Sequence, residues 1–241
     1  MIQAFFKGKS EIAFTPNEDF KTSSSIGLLQ YLPDDMFWNI MRNSCVGFTT
    51  TDFGKIESFN FWAHTDATNT SNSQLVEPDV WIETEKYDVI IEAKVGDDGG
   101  QYIRQWRNEI QSIKNEQNNN EYVKPIILIA LGGNENMLTE TALGCPVYKT
   151  SWYNLLNAIV NEREAQSDNG YVCRILDDVV ELFARQGIMK VEWFNTLPLV
   201  SVDTHALDLW KTVKSKPSVG FASMPQMIIN ETNLQQWKPI N

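Results

Sequence analysis

The sequence predicts an α/β protein: a central mixed β-sheet flanked by helices, with a helical and irregular C-terminal extension. Three observations carry this. Two short apolar runs, Val89–Val95 and Val123–Leu131, have the length and β-branched content of strands buried on both faces. Between them, Ile103, Trp106, Ile110 and Ile113 recur at spacings of three, four and three, the stripe of an amphipathic helix. The order strand, helix, strand, strand, helix through this region is the rhythm of helices packed on a mixed sheet.

The elements follow in order. Residues 1–14 are mixed and read as a short strand or arm, and Thr15-Pro16-Asn17 reads as a helix start. Leu28, Leu29, Leu32, Met36, Phe37, Ile40 and Met41 form an apolar stripe that Pro33 divides into two helices. Glu18, Thr22 and Ser25 share one side of the first, so Glu18 can face the sheet; the plainer role for Glu18 is to complement the helix N-terminus. Phe48–Trp62 is strand-like, and Thr65–Ser73 is a polar loop. Asp79-Val80-Trp81-Ile82 is a strand joined to Val89–Val95 by the polar turn Glu83–Asp88. Gly96–Gly100 makes a tight turn in which Asp97 and Asp98 serve as turn and capping residues. After the stripe helix come a polar linker (Glu116–Glu121), the Val123–Leu131 strand ended by Gly132-Gly133, and a short strand at Pro146-Val147-Tyr148. Ser151 caps a helix running to about Glu164, and Val172, Leu176, Val179 and Phe183 mark another after Gly170. The remainder holds Trp193, Pro198, Trp210, Pro217, Pro225 and Trp237 with little periodicity; its aromatics read as core or docking residues, or as base-stacking platforms. The expected division is a core over 1–170 and an extension over 171–241 packed on the same domain.

Composition sets bounds. A chain of 241 residues, 42% hydrophobic, can bury a substantial single core. No apolar run approaches the roughly 18–20 residues needed to span a bilayer, and Met1–Lys7 lacks the apolar segment of a signal peptide. Cys45, Cys145 and Cys173 are far apart with no C-x-x-C pair, which points to reduced thiols and a cytoplasmic setting and away from zinc. His64 and His205 are isolated ordinary side chains. The net charge of −11 excludes a uniformly basic nucleic-acid surface, but the acidity is local. Residues 51–100 carry 3 Lys/Arg against 11 Asp/Glu, whereas residues 101–150 carry 5 of each. Arg104, Arg107, Lys114, Lys124 and Lys149 form either a phosphate-binding strip or a solvated face. Weak, salt-sensitive non-specific binding follows from the overall charge.

The chemistry concentrates in Glu77-Pro78-Asp79 and, after twelve intervening residues, Glu92-Ala93-Lys94. Side chains alternate along a strand, so Glu92 and Lys94 point the same way, about 6–7 Å apart. The hairpin brings Asp79 beside Glu92, within reach of one hard cation. Mg²⁺ takes one or two carboxylates plus waters and phosphate oxygens. A bound metal lowers the pKa of a coordinated water, and a neighbouring lysine can orient that water or neutralise the phosphate. A charged group inside an apolar strand is costly unless paired or metal-bound; the alternative to a metal site is a structural ion pair.

Pro78-Asp79…Glu92-Ala93-Lys94, in this order on two strands, resembles the PD-(D/E)XK nuclease superfamily, and the flanking elements resemble it over about residues 15–165. Glu18-Asp19-Phe20-Lys21-Thr22 resembles the first helix, which often adds an acidic residue to the metal site. Gln101 stands where the exonuclease-like branch carries the Gln of Gln-x-x-x-Tyr, with Gln105 in place of the Tyr. The resemblance implies a restriction-endonuclease-like fold and a metal-dependent nuclease, acting on DNA in preference to RNA. It implies Asp79, Glu92 and the Ala93 carbonyl as ligands of Mg²⁺ or Mn²⁺, Lys94 at the attacking water, Glu18 completing the shell and Gln101 contacting substrate. A homodimer or a protein partner would fit. The second reading is a catalytically silent or partner-dependent nuclease-fold protein, a binding or assembly module of a defence or mobile-element system. A third is a carbohydrate-active enzyme with paired carboxylates, in which Lys94 has no evident role.

Overall fold

A computed structural model describes residues 18–72, 74–97, 99–118, 122–166 and 169–189. The arm expected over 1–14, the helix start at 15–17, Asp98, part of the 116–121 linker, His205 and the aromatic-rich segment from Trp193 onward lie outside these residues. Helices α1 (Glu18–Leu29) and α2 (Asp34–Ser44) come first, then strands β1 (Ile56–Phe61), β2 (Thr65–Asp66), β3 (Leu75–Val76), β4 (Val80–Thr84) and β5 (Asp88–Ala93). Helix α3 (Ile103–Gln117) leads to β6 (Ile126–Leu131), β7 (Glu140–Ala142) and β8 (Cys145–Thr150), and helices α4 (Trp152–Ala165) and α5 (Gly170–Arg185) follow.

Six strands form one mixed sheet in the order β1-β4-β5-β6-β8-β7. β5, β6 and β8 are parallel neighbours, and β1, β4 and β7 add antiparallel strands. Every residue of β5 and β6 is buried, which is why β6 reads as an unbroken apolar run and β5 as one interrupted only by its charged residues. Alternation splits them between two layers. Val89, Ile91, Ala93, Ile127, Ile129 and Leu131 pack with Phe37, Leu155 and Leu176 of α2, α4 and α5. Ile90, Leu128 and Ala130 pack with Trp106, Ile110 and Ile113 of α3 on the opposite face. Thus α5, assigned from sequence to the extension, contributes Val172, Leu176, Val179 and Phe183 to the core. β2 and β3 form a separate two-stranded ribbon, with β2 inside the Thr65–Ser73 segment expected to be a loop and β3 just after it. Asn115 and Asn108 of α3 hold it: Asn115 Nδ2 donates to the carbonyls of Asp66 and Thr68 (2.9 and 2.7 Å), and Asn108 Oδ1 accepts from Ser71 N (3.0 Å).

The chain leaving β5 is pinned at several points. Lys94 N donates to Leu131 O (2.8 Å), and Lys94 O accepts from the Trp152 indole (2.6 Å). Val95 O accepts from the Lys21 ammonium. Asp97 caps α4 from a distance, accepting from Trp152 N at 3.0 Å, while Ser151 caps it locally through Asn154 N. Gly132 and Gly133 close the arrangement with φ of +73° and +62°. A Cβ on Gly132 would lie 2.7 Å from Gly96 O and from Trp152 Nε1. Gly132→Ala is expected to destabilise the fold by at least the roughly 1–2 kcal/mol of a left-handed non-glycine residue, with the steric conflict added. Chemical denaturation checks this; an unchanged midpoint would refute the tight seat.

Candidate metal centre

The β4–β5 hairpin builds the centre. Its register pairs Val80 with Ile91 and Trp81 with Ile90, so continuing it one step sets Asp79 opposite Glu92. Ala93 N then donates to Asp79 Oδ2 at 2.8 Å, fixing that carboxylate at the strand end. α1 delivers Glu18 to the same place, because its inward face carries Lys21, Thr22 and Ser25 as well. One carboxylate oxygen each from Glu18, Asp79 and Glu92 lies within 4.8 Å of the other two. Asp79 is 7% exposed and Glu92 2%, with Glu18 half-buried.

Lys94 sits among them. Its Nζ donates to Glu92 Oε1, to Ala93 O (2.9 Å) and to Glu18 Oε1 (3.4 Å). Burial pulls the Lys94 pKa down, yet the carboxylates of Glu92, Glu18 and Asp79 together outweigh it and hold the group above its ordinary value. Burial, reinforced by Glu92, pushes Asp79 up to about 7. Glu18 is raised as well, chiefly by burial and against the pull of Lys94. A lone ammonium therefore leaves the carboxylates undercompensated. A divalent cation fits this donor set of oxygens, and Glu18, Asp79 and Glu92 are the residues that would hold it.

Gln101 reaches the centre from the side. Its Nε2 donates to Glu92 O (2.9 Å) and its Oε1 accepts from the Trp106 indole (2.6 Å). These two bonds tie the end of β5 to α3 through Gln101. Ala93 O and Glu92 Oε1 accept from the same ammonium and so lie around one point of positive charge.

Two further residues of α3 reach Glu92, of which Glu109 has no place in the sequence reading. Gln105 Nε2 donates to Glu92 Oε1. Glu109 is 2% exposed on α3, lies against the Glu92 carboxyl, and is raised well above the ordinary range by burial and then by Glu92. The available signal was a polar spacing: Gln105 and Glu109 stand four apart on α3, and Gln101 precedes them by four just before the helix begins.

Three of the five basic residues are engaged within the protein. Lys149 is buried on Glu140, Lys124 pairs with Glu57, and Lys114 donates to Leu143 O. Arg104 lies nearer the centre, in the wall of a cavity that Gln105 and Glu109 also line. His64 pairs with Glu77 at 2.8 Å on the surface. Among the described residues no helix is long and apolar enough to cross a membrane. Neither protein-family models nor curated proteins give a match to this chain.

Proposed function

We propose that this chain is a metal-dependent nuclease of the PD-(D/E)XK type, with a restriction-endonuclease-like fold, hydrolysing phosphodiester bonds in DNA in preference to RNA. The observation that carries the reading is the meeting of Glu18, Asp79 and Glu92 within 4.8 Å around the Lys94 ammonium, at the end of a buried parallel strand. A structural ion pair needs one carboxylate for one lysine; here three carboxylates meet one ammonium.

Mg²⁺ or Mn²⁺ bound there would lower the pKa of a coordinated water and neutralise phosphate charge. The chain's own groups do the rest. Asp79 is oriented by Ala93 N, and Gln101 and Gln105 fix the backbone and side chain of Glu92. Lys94 orients the attacking water and supplies positive charge to the phosphate as negative charge develops on it. Hydrolysis leaves a phosphate on one cut end.

The test is cleavage of linear, circular, single- and double-stranded DNA and of RNA, with Mg²⁺, Mn²⁺ or chelator, alongside Asp79→Asn. The expected result is metal-dependent cutting that Asp79→Asn removes. Equal cutting by Asp79→Asn and the parent chain would overturn the assignment. Metal binding without turnover on any substrate would favour the silent or partner-dependent module instead.

A further inference from the structure

α2 and α4 lie side by side in opposite directions. Thr150 Oγ1, just before α4, donates to Ser44 O at the end of α2 (2.8 Å), and Asn39 Nδ2 donates to Glu162 Oε2 farther along both helices (2.6 Å). An open groove of about 490 Å³ lies between them, and asparagines dominate its polar lining: Asn39 and Asn43 from α2, Asn154, Asn157 and Asn161 from α4. On each helix they stand three or four apart, so they form one row per wall. A merely solvated helix face is better served by Lys, Glu, Gln or Arg, which form helix more readily than asparagine. Asn39 is held by Glu162, Arg42 and Asn43. Across the groove, among the described residues, the side-chain amides of Asn154, Asn157 and Asn161 take no partner within the protein.

The lining selects the ligand. An asparagine side chain offers an acceptor and two donors without charge, and the group that matches it is another amide. Glu162 is the one charged residue of the lining and already accepts from Asn39 and Gln166, so nothing there would hold a phosphate or a carboxylate. The lining has no aromatic side chain on which a sugar or a base would stack. The spacing suits a main chain: four helical residues rise about 6 Å, and peptide groups facing the same way along an extended chain recur about every 6.6–6.8 Å.

We propose that this groove binds an extended polypeptide segment of a partner protein through its main-chain amides, with Asn157 and Asn161 as the principal contacts. None of Glu18, Asp79, Glu92 and Lys94 lines the groove, so the proposal stands apart from the nuclease reading. The Glu162 charge favours a segment carrying Lys or Arg over one carrying Asp or Glu.

The experiment is selection from a displayed library of random octapeptides on the immobilised full chain, followed by fluorescence anisotropy with each selected octapeptide as a synthetic peptide. The double substitution Asn157→Ala, Asn161→Ala is expected to weaken binding about tenfold or more, as for the loss of two or more amide hydrogen bonds. Methylating every second peptide nitrogen is expected to remove binding in one register and spare it in the other. Thermal melts verify folding, and the double variant is expected to melt no lower than the parent because alanine is the better helix former. Octapeptides that bind the double variant as tightly as the parent overturn the groove as their site. A library that yields no binder overturns the proposal. So does a maltohexaose or a single-stranded DNA octamer that takes the place of the peptides and loses its affinity in the same double variant.

Discussion

Lys94→Met is expected to lower metal-dependent cleavage about 10²–10⁴-fold, the range lost when a charge-stabilising donor or a proton-handling group is removed from an active site. Methionine keeps much of the side-chain length and removes only the charge and its donors. Lys94 donates to Glu92, Ala93 O and Glu18 at once, so no other ammonium of the centre can take its place. The same substitution has a second, separable effect. Without Lys94, the buried Glu92 carboxylate faces Asp79 and Glu18 uncompensated, and breaking a buried pair from one side costs about 3–5 kcal/mol. The variant is therefore expected to melt well below the parent in chelator and to recover most of the difference in millimolar Mg²⁺. Single-turnover cleavage and thermal melts, each with and without Mg²⁺, separate the effects. Near-parental cutting by a folded Lys94→Met chain would remove Lys94 from the reaction.

The second large effect is a pH dependence of the metal-free protein. Asp79 has a folded pKa of about 7 against an ordinary 3.8, so the folded state holds a proton that the unfolded state has released. Between these values the native chain binds more protons, and stability falls as pH rises. A displacement of about three units corresponds to roughly 4 kcal/mol, absent below pH 4 and fully expressed above pH 7. Glu18 and Glu109 are raised too and act in the same direction. Lys94 is raised, but its contribution is complete throughout this window and is lost only at alkaline pH. A divalent cation takes the place of the proton. The expected result is a melting temperature that falls from pH 5 to pH 8 in chelator, and a stabilisation by Mg²⁺ that grows over the same interval. A metal-free melting temperature that climbs from pH 5 to pH 8 would contradict the crowding of carboxylates.

How far the sequence reaches is visible residue by residue. Asp79, Glu92 and Lys94 were legible because two strands joined by a polar turn have only one register that buries both apolar faces, and that register sets 79 against 92. Glu18 was legible as a direction, since Thr22 and Ser25 share its face, but its arrival at Lys94 depends on how α1 packs across the sheet. Glu109 was not legible, because apolar periodicity carries no information on the polar row of α3 that includes it. The division at residue 170 followed the polar break between two helices, but the apolar face of α5 required burial on the same core. β2 and β3 are only two residues each, too short for a pattern to show: side-chain amides of α3, distant in sequence, help hold that ribbon in place.

That attachment has a consequence for how such a protein can diversify. The carboxylates stand on the main sheet and α1, whereas the facing wall of the cavity hangs from α3 by a few amide contacts. Residues 67–72 belong to no strand of the six-stranded sheet, so substitutions there leave its ladder of hydrogen bonds intact. Sequence change in the wall therefore leaves the strand that carries Glu92 and the helix that carries Glu18 in place.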